Sequence, residues 1–248
     1  MSFVSIVMPY FKKDQFINET IYSIINQTYK DFEIIIIDDE VNENSRKVLF
    51  NLKKLDKRIN IISNENNIGV GLSRNKGIRF AKGEYIAFCD CDDIWVNTKL
   101  EYQLNFMKNH KVNFSFTAYD IINKDGKIIS HRKADHEMTF KKLIRSCDIG
   151  LSTVILKKDL LNDKDINFPN IKTKEDFVLW LKLAKNKNKM FGINERLTKW
   201  RKLNNSLSSS TFQKILDGYK VYRVYMKFGI INSFLKLFIL ALNYLIKK

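Results

Sequence analysis

The chain has 248 residues, an apolar share of 45% and a formal net charge of +16. This length and apolar content allow a full hydrophobic core and exclude an intrinsically disordered chain, which lacks the apolar surface that offsets the entropy of ordering. The charge implies an anionic partner: nucleic acid, anionic lipid or a phosphate-bearing substrate. Residues 199–248 contain ten Lys and Arg against one acidic residue, so we expect that partner to meet the C-terminal end.

The three cysteines, Cys89, Cys91 and Cys147, form no even disulfide framework. A zinc site would need further ligands at close spacing, and the three histidines do not supply them. The N-terminal residues show neither a charged leader nor a cleavage site, so we expect no signal peptide. These features predict a reduced, cytoplasmic setting.

The first 90 residues alternate between predicted strands and helices. Apolar, β-branched runs predict the strands, and apolar residues spaced by three and four predict the helices. The predicted strands cover residues 3–8, 33–37, 59–63 and 85–88. One predicted helix starts at a capping Asp14, and another spans residues 70–81. Such alternation is typical of βαβ units with parallel strands.

Polar side chains follow the ends of three of these strands. They are Tyr10, which follows Pro9 at the end of the first strand, Asp38-Asp39, and the cluster of Asp90, Asp92 and Asp93. Ligands in such sheets bind beyond the carboxyl ends of the strands. Crowded carboxylates cost stability unless a cation or a hydroxylated ligand offsets their repulsion, so the cluster predicts such a ligand. The alternative is that these aspartates are solvated and cap the next helix.

The second half of the chain predicts mixed strands and helices. We expect a helix over 98–109, a strand over 113–119, a hairpin turn over 123–126 and a helix over 173–187. The last of these opens with Glu175-Asp176, which suits the helix dipole.

Residues 229–248 are largely apolar and approach the lower length limit for crossing a bilayer. The polar residues fall within an arc of roughly 100° on a helical projection, at Asn232, Ser233, Lys236, Asn243 and Lys247. The segment therefore predicts an amphipathic helix that lies in the membrane interface, with nearby basic residues attracted to anionic lipid. The alternative is a helix packed on the protein's own core.

Four sequence blocks carry a resemblance to a known family. They are VSIVMPYF at the start, SIINQTYKDFEIIIIDD at 23–39, NNIGVGLSRNKGIRFAKGEYIAFCDCDD at 66–93 and KEDFVLWLKL at 174–183. In order and spacing they resemble the family 2 glycosyltransferases that build bacterial surface polysaccharides. The resemblance covers about the first 210 residues. Glu40-Val41 departs from the Gly-Ser that the family usually has after its paired aspartates.

The resemblance implies an α/β protein with the GT-A fold, in which helices flank a Rossmann-like, mostly parallel sheet. The C-terminal helical tail predicted from the spacing of its polar residues would follow this fold. It implies a glycosyltransferase domain over 1–210. Within it, 1–97 would form the nucleotide-sugar-binding half and 98–210 the acceptor-binding half. Residues 211–248 would form the membrane-associating tail.

The resemblance also implies a donor site that binds a UDP-sugar with Mn²⁺ or Mg²⁺. A divalent cation held by carboxylates would neutralise the donor diphosphate, with Asp92 and Asp93 as ligands and Asp90 supporting the ribose or the ligands. Asp39 would accept a hydrogen bond from the uracil ring, with Asp38 beside it. The alternative for this pair is a loop-forming role.

Further residues extend the implied donor site. Pro9 and Tyr10 would contact the nucleotide from the first strand end. Arg74 would meet the base or the diphosphate, or else remain a solvated residue on the face of its helix. Trp200-Arg201 and Ser206-Leu207-Ser208 resemble the family's aromatic-Arg and Ser block near the diphosphate.

An inverting transfer needs a base that removes the acceptor hydroxyl's proton. Glu175-Asp176 resembles the family's acidic motif, which makes Asp176 the candidate base with Glu175 in support. Trp180 lies one helical turn further on and would stack on a sugar face. The alternative is an ordinary helix start with a core tryptophan.

Together these features predict an inverting glycosyltransferase of surface polysaccharide synthesis. It would move a hexose or N-acetylhexosamine from a UDP-sugar to a hydroxyl of a lipid-linked or lipooligosaccharide glycan, for O-antigen, capsule or lipooligosaccharide, as a peripheral protein on the cytoplasmic face of the inner membrane. Alternatives are transfer to polyprenyl phosphate, or a non-catalytic homologue that binds membrane or nucleic acid. We expect no nucleic-acid partner.

Overall fold

A computed structural model describes residues 3–203 and 210–246. The strands within it are β1 (Val4–Tyr10), β2 (Phe32–Asp38), β3 (Ile59–Ser63), β4 (Tyr85–Phe88), β5 (Ile94–Trp95), β6 (Phe114–Ile122), β7 (Ile128–Arg132), β8 (Glu137–Met138), β9 (Ile155–Lys157) and β10 (Met190–Arg201). The α-helices are α1 (Asp14–Ile25), α2 (Glu43–Leu55), α3 (Val70–Phe80), α4 (Lys99–Asn109), α5 (Phe140–Leu143), α6 (Glu175–Lys185), α7 (Thr211–Lys220) and α8 (Ile230–Ile246). A π-helical turn, Val221–Tyr225, joins the end of α7 to the segment before α8.

All ten described strands belong to one sheet, and eight of them follow the order β3-β2-β1-β4-β9-β6-β10-β5. The four strands β3, β2, β1 and β4 are parallel neighbours, whereas β9 is antiparallel to both β4 and β6. The chain adds β2 and β3 on one side of β1 and then β4 on the other. The crevice beyond the ends of β1 and β4 is therefore the topological switch point at which such sheets bind ligands.

The four N-terminal strands and α3 lie within two residues of their predicted bounds. Asp14 does not cap α1 as expected. It is the first helical residue and Lys13 precedes it. Helix α2 was not predicted from the sequence. Its start is capped by Asn42 and Ser45, and the side chain of each accepts a hydrogen bond from the backbone N–H of the other. This capping box lacks the Ser/Thr and Glu pair by which such a start is usually recognised. Strand β10 escaped prediction because its register against β6 shifts twice.

Helix α8 packs against the rest of the protein with a narrow, partly polar strip of its surface. Ser233 and Leu240 are buried, and Asn243 donates a hydrogen bond to the Arg145 carbonyl at 2.8 Å. The opposite side is apolar and exposed, as Ile231 and Phe238 show at 86% and 60% accessibility. The two predicted alternatives are thus both partly realised: the helix packs on its own protein and still presents an apolar face outward.

The tail's predicted residue Lys247 lies outside the described residues. Within residues 3–203 and 210–246, we find no helix with the length and hydropathy needed to cross a bilayer.

Candidate active site

The ends of β1, β2 and β4 come together as predicted from the sequence. Tyr10 is in register with Asp38 across β1 and β2, and the Asp39 N–H donates to the Tyr10 carbonyl at 2.9 Å. β4 is the other neighbour of β1, so the loop that carries Asp90 and Asp92 emerges at the same edge. The three predicted groups therefore border one crevice.

The paired aspartates at the end of β2 are both buried and both hydrogen-bonded within the protein. Asp38 accepts from the N–H groups of Glu40 and Val41, at 3.2 Å each, and from the Ser45 hydroxyl. It thereby holds the turn at Glu40-Val41, the two residues that replace the family's usual Gly-Ser. In this turn Val41 has a φ of 57°. This is an unusual conformation for a β-branched residue, so Asp38 acts on the backbone of this turn.

Asp39 accepts hydrogen bonds from the next segment of the crevice. Its Oδ1 accepts from the Asn64 side chain at 2.7 Å and from the Ile68 N–H at 2.8 Å, and its Oδ2 accepts from the Gly69 N–H at 3.0 Å. Asp39 thus fixes the entry of α3, the helix that carries Arg74.

The residues at the end of β1 contribute mainly through their backbone. The Tyr10 side chain is fully buried, and its hydroxyl donates a short hydrogen bond to Asp14. Burial, this bond and the Asp14 charge all raise the pKa of Tyr10. The Pro9 carbonyl accepts from the Cys91 thiol at 3.3 Å. The Cys91 contact anchors β1 to the aspartate loop that follows β4, and the Asp14 contact anchors it to α1.

The three clustered aspartates point to three different partners. Asp90 accepts from Arg74 at 2.7 Å, and Asp92 pairs with the Lys13 ammonium at 2.5 Å. Asp93 points inward, where it accepts from the Ser152 hydroxyl at 2.5 Å and the Arg201 N–H at 3.0 Å. They are therefore not three solvated caps of the next helix, since each has a specific partner.

Burial and mutual repulsion act on this cluster as the sequence predicted. Burial, opposed by Lys13 and reinforced by Asp90, raises the pKa of Asp92. Burial and the charges of Asp92 and Asp90 raise the pKa of Asp93 well above its ordinary value. A cation placed at Asp92 would lower this electrostatic cost.

Arg74 connects the aspartate cluster to the acidic pair that begins α6. Its guanidinium is buried and donates from Nη2 to Asp90 and from Nη1 to Glu175 at 2.5 Å. The two helices meet because Gly71 passes so close to the Pro169 carbonyl that a Cβ there would lie 2.5 Å from its oxygen. Arg74 is thus a buried bridge and not a solvated residue on the face of its helix.

Asp176, the candidate base, is half-buried beside Glu175 at the start of α6. Burial and the Glu175 charge, opposed by Arg74, raise its pKa to about 7. A carboxylate that titrates near neutral pH suits general base catalysis, because it is both deprotonated and basic enough to accept a proton. Its Oδ1 accepts from the Phe177 N–H at 2.7 Å.

The interpretation of Trp180 as a sugar-stacking residue is wrong. Its side chain is fully buried, and its ring packs edge-on against Phe114 and Phe168. On α6 it occupies the core-facing side, as the alternative of a core tryptophan expects. Trp200 is partly exposed at 36%, and Ser206 to Ser208 lie outside the described residues.

Arg201 is buried, and all of its described contacts are with the protein. Nε donates to the Asp92 carbonyl at 2.9 Å, Nη1 to the Lys124 carbonyl at 2.7 Å, and Nη2 pairs with Glu19 at 2.6 Å. The guanidinium therefore ties the aspartate loop to the β6–β7 hairpin and to α1. Through Nε it holds the Asp92 carbonyl, and the backbone N–H of Arg201 donates to Asp93.

Sequence reasoning missed two residues that organise this site. Ser152 accepts from the Asp90 N–H at 3.0 Å while donating to Asp93, and Lys13 supplies the cation at Asp92. Ser152 follows Asp90 by 62 residues, and no local pattern marks it. Lys13, after the predicted contact residues Pro9 and Tyr10, was the more visible signal.

The chain matches a sequence-family model and several known proteins. The model for glycosyl transferase family 2 matches residues 5–227. The chain belongs to this family. A relative in Bacillus subtilis, the putative teichuronic acid biosynthesis glycosyltransferase TuaG, is 34% identical over 89% of this chain and 87% of its own length.

Two further family 2 comparisons bear on substrate and fold. The Escherichia coli UDP-Glc:alpha-D-GlcNAc-diphosphoundecaprenol beta-1,3-glucosyltransferase WfgD is 37% identical over 86% of this chain and 82% of its own length. The crystal structure of S. aureus TarS residues 1–349, in complex with UDP-GlcNAc, superposes with a TM-score of 0.73 at 23% identity, over 96% of this chain and 70% of that one. The GT-A fold predicted from the sequence is confirmed.

The carboxylates at the crevice fit a divalent cation that binds together with a phosphate-bearing ligand. Among the described residues, no group of three or more His, Cys, Asp or Glu side chains forms a ready-made metal site. Mg²⁺-type sites commonly use only one or two carboxylates together with substrate phosphates. The Lys13 ammonium already pairs with Oδ2 of Asp92, so this carboxylate accommodates a positive charge at the crevice.

Proposed function

We propose that this family 2 glycosyltransferase is an inverting, metal-dependent enzyme that transfers a sugar from a UDP donor to a hydroxyl of a lipid-linked glycan in surface polysaccharide synthesis. The names of TuaG and WfgD support the surface-polysaccharide role and the lipid-linked acceptor. The UDP-GlcNAc complex of TarS supports a UDP-sugar donor, either a hexose or an N-acetylhexosamine.

The donor would bind at the crevice between the ends of β1 and β4. Asp92 would hold Mn²⁺ or Mg²⁺, which when bound neutralises the charge that develops on the donor diphosphate. Asp90 and Asp39 border the same crevice and would contact the ribose and the uracil. Asp93, Arg201 and Asp38 would act as positioning residues, because Asp93 and Arg201 bond to each other and to the aspartate loop and Asp38 holds the turn after β2.

Asp176 would act as the general base in the transfer. Its carboxylate takes the proton from the acceptor hydroxyl, whose oxygen attacks the anomeric carbon from the face opposite the diphosphate. The new glycosidic bond forms as the bond to the diphosphate breaks, and UDP leaves with the bonding electron pair. Burial, reinforced by the Glu175 charge, raises the pKa of Asp176 to about 7, so the base is tuned to neutral conditions.

One observation carries this proposal: the Arg74 guanidinium joins Asp90 of the donor side to Glu175 of the acceptor side, at 2.7 and 2.5 Å. A single buried cation therefore holds the candidate metal loop and the candidate base in one rigid arrangement. A fixed geometry between donor and base is what a direct displacement requires.

We also propose that the tail attaches the enzyme peripherally to the cytoplasmic face of the inner membrane. The outward side of α8 is apolar, and α7 adds Phe212, which is 71% exposed. Basic residues of the tail, such as Lys220 and Arg223, would add attraction to anionic lipid. An interfacial position would bring the crevice to a membrane-anchored acceptor.

The test is a transfer assay with a panel of UDP-sugars and a GlcNAc-diphospholipid acceptor, with and without Mn²⁺. We expect one UDP-sugar to give an inverted product that depends on Mn²⁺. Asp176→Asn should abolish the product, and the matched change of an exposed aspartate, Asp163→Asn, should not. Absence of transfer and of donor hydrolysis from every UDP-sugar, in folded protein, would contradict the proposal.

A further inference from the structure

Asp217, on α7, is the single acidic residue among residues 199–248, the basic C-terminal end of the chain. Its side chain is fully buried. Oδ2 accepts hydrogen bonds from the Thr173 N–H at 3.0 Å, from the Thr173 hydroxyl at 3.1 Å and from the Gln213 side chain at 2.8 Å, and Oδ1 accepts from Lys220 at 3.3 Å. This carboxylate therefore joins α7 to the segment that precedes α6.

The Asp217 carboxylate stays ionised in these surroundings. Burial acts to raise its pKa, but the hydrogen bonds from Gln213 and Thr173 outweigh burial and hold the pKa below its ordinary value. Hydrogen bonds to an ionised acceptor are roughly twice as strong as those between neutral groups. The two bonds from Thr173 are therefore a strong link between the tail and the start of α6.

This link lies next to the candidate base, because Thr173 stands three residues before Asp176. Lys174, between them, has a φ of 65°, a left-handed conformation that is uncommon for residues other than glycine. Such a conformation persists only where the surrounding structure holds it. The bonds from Thr173 to Asp217 hold the residue directly before it, so α7 stabilises the backbone from which α6 begins.

The tail contacts α6 a second time, directly after the base. Tyr222, in the π-helical turn that follows α7, packs edge-on against Phe177 with ring centroids 6.4 Å apart. Both side chains are fully buried, and the Tyr222 hydroxyl donates to the Ile144 carbonyl at 3.0 Å. Phe177 follows Asp176 in the sequence. The tail therefore holds the chain on both sides of the candidate base.

Helix α7 is also joined to α8, the helix with the exposed apolar face. A Cβ at Gly218 would lie 2.7 Å from Leu237 Cδ1, so the two helices pack closely at this point. Beside it, the rings of Tyr219 and Phe234 lie 4.8 Å apart, and Phe234 is 57% exposed. Helix α7 thus contacts both the proposed membrane-binding helix and the segment that carries the base.

We infer that Asp217 is a positioning residue for the transfer, which holds the start of α6 through Thr173 and thereby places the Asp176 carboxylate. The inference rests on the proposed role of Asp176 and adds that the tail serves the base as well as the membrane. A misplacement of a reacting group by about 1 Å can lower the rate on the order of 10²-fold. The partners of Asp217 on α7, Gln213 and Lys220, do not border the donor crevice, so donor binding should not depend on it.

The test is steady-state kinetics with a UDP-sugar and a water-soluble, short-chain GlcNAc-diphosphate acceptor, without vesicles, so that membrane recruitment does not contribute. Calorimetry measures UDP binding by the same proteins. We expect Asp217→Ala to lower kcat roughly tenfold or more, with the donor KM and UDP affinity within about twofold. Asp217→Asn should keep kcat within about threefold, because its amide oxygen still accepts from Thr173.

Two control variants separate positioning from a general loss of stability. Leu52→Ala removes a buried side chain from α2, which lowers the free energy of unfolding, and should leave kcat within about twofold. Lys220→Met removes the partner of the other Asp217 oxygen and should also leave kcat within about twofold. If Asp217→Ala does not fold, Thr173→Val removes only the hydroxyl donor and should lower kcat roughly threefold at unchanged UDP affinity.

The outcomes distinguish this inference from the proposed function. A loss of kcat in Asp217→Ala that Asp217→Asn restores, at unchanged UDP affinity, would support both. An unchanged kcat in Asp217→Ala, or in Thr173→Val where that variant replaces it, would overturn the inference and leave the proposed function standing, as would an equal loss of kcat in Leu52→Ala. Absence of transfer by the unmodified protein would overturn the proposed function, and the inference with it.

Discussion

The donor crevice and the C-terminal tail differ in how their side chains are accommodated: the crevice buries carboxylates among hydrogen-bond donors, and the tail leaves large apolar side chains exposed. In the crevice, Asp38, Asp39 and Asp93 are buried and each accepts hydrogen bonds from protein donors. In the tail, large side chains such as Ile231 and Phe238 remain exposed. The crevice is therefore preorganised by the chain itself, whereas the tail leaves apolar side chains exposed, and we propose that a membrane surface covers them. Each of the following predictions tests one side of this contrast.

The largest effect should come from removing the base. Asp176→Asn should lower kcat by about 10² to 10⁴, because it removes the proton acceptor, while UDP binding stays within about twofold. Steady-state kinetics with calorimetry measures both. Asp163→Asn is the exposed control. An unchanged kcat in Asp176→Asn would remove Asp176 from the mechanism.

The pH profile of kcat/KM in the unmodified enzyme should report the same group, because kcat/KM follows the pKa values of the free enzyme. Because burial and Glu175 raise the pKa of Asp176 to about 7, Asp176 is increasingly protonated and inactive below that value. We therefore expect kcat/KM to fall about tenfold per pH unit well below about 7 and to level off above it. A profile that stays flat from pH 5 to pH 8 would contradict this assignment.

Breaking the buried bridge should destabilise the crevice strongly. Arg74→Met leaves the carboxylates of Asp90 and Glu175 without their shared cation, which typically costs about 3–5 kcal/mol of unfolding free energy. Urea unfolding measures the loss. Arg79→Met, on the exposed side of the same helix, should cost far less. Equal effects of the two changes would show that Arg74 does not hold the crevice together.

The tail should tolerate polar substitution in water but lose its membrane affinity. Leu235 and Phe238 are both more than half exposed, and each apolar side chain contributes about 1.5–3 kcal/mol on leaving water. The double change Leu235→Asn and Phe238→Asn should therefore weaken binding to anionic vesicles at least a hundredfold, with UDP binding unchanged. Vesicle cosedimentation measures this.

Phe50→Asn provides the matched control for the tail, because Phe50 is 59% exposed on α2, outside the tail. It should leave vesicle binding unchanged. Should the tail variant bind vesicles as well as the unmodified protein does, the apolar face of α8 would have to serve another purpose.

The smallest predicted effect concerns the cation already present at Asp92. Lys13 pairs with Asp92 at 2.5 Å, so a divalent ion must displace it. Lys13→Met should raise the Mn²⁺ affinity of the donor-free protein roughly tenfold, about 1.4 kcal/mol, as measured by Mn²⁺ titration. Lys12→Met, at the exposed neighbouring position, is the control. Unchanged or weaker Mn²⁺ binding in Lys13→Met would exclude competition at Asp92.

The same contrast explains what the sequence could predict. The strand ends of the crevice were predictable because apolar runs and the acidic residues after them are local, and parallel strands bring such ends to one edge. The Arg74 bridge was not, since its partners are 16 and 101 residues away. The helical character of α8 followed from periodicity, but periodicity cannot say which side meets the protein.

The contacts of individual site residues could not be predicted from the motif. Asp93 and Arg201 matched family positions, yet burial turns their polar atoms toward Ser152, Lys124 and Glu19. A sequence motif marks residues that belong to a site without separating those that touch the ligand from those that position them.

The most direct test of the account is calorimetric binding of UDP with and without Mn²⁺, in the unmodified protein, in Asp92→Asn and in the control Asp163→Asn. The account predicts binding that requires Mn²⁺, is lost in Asp92→Asn and persists in Asp163→Asn. UDP binding that is indifferent to Mn²⁺, or that survives in Asp92→Asn unchanged, would contradict a metal-dependent donor site at the ends of β1 and β4.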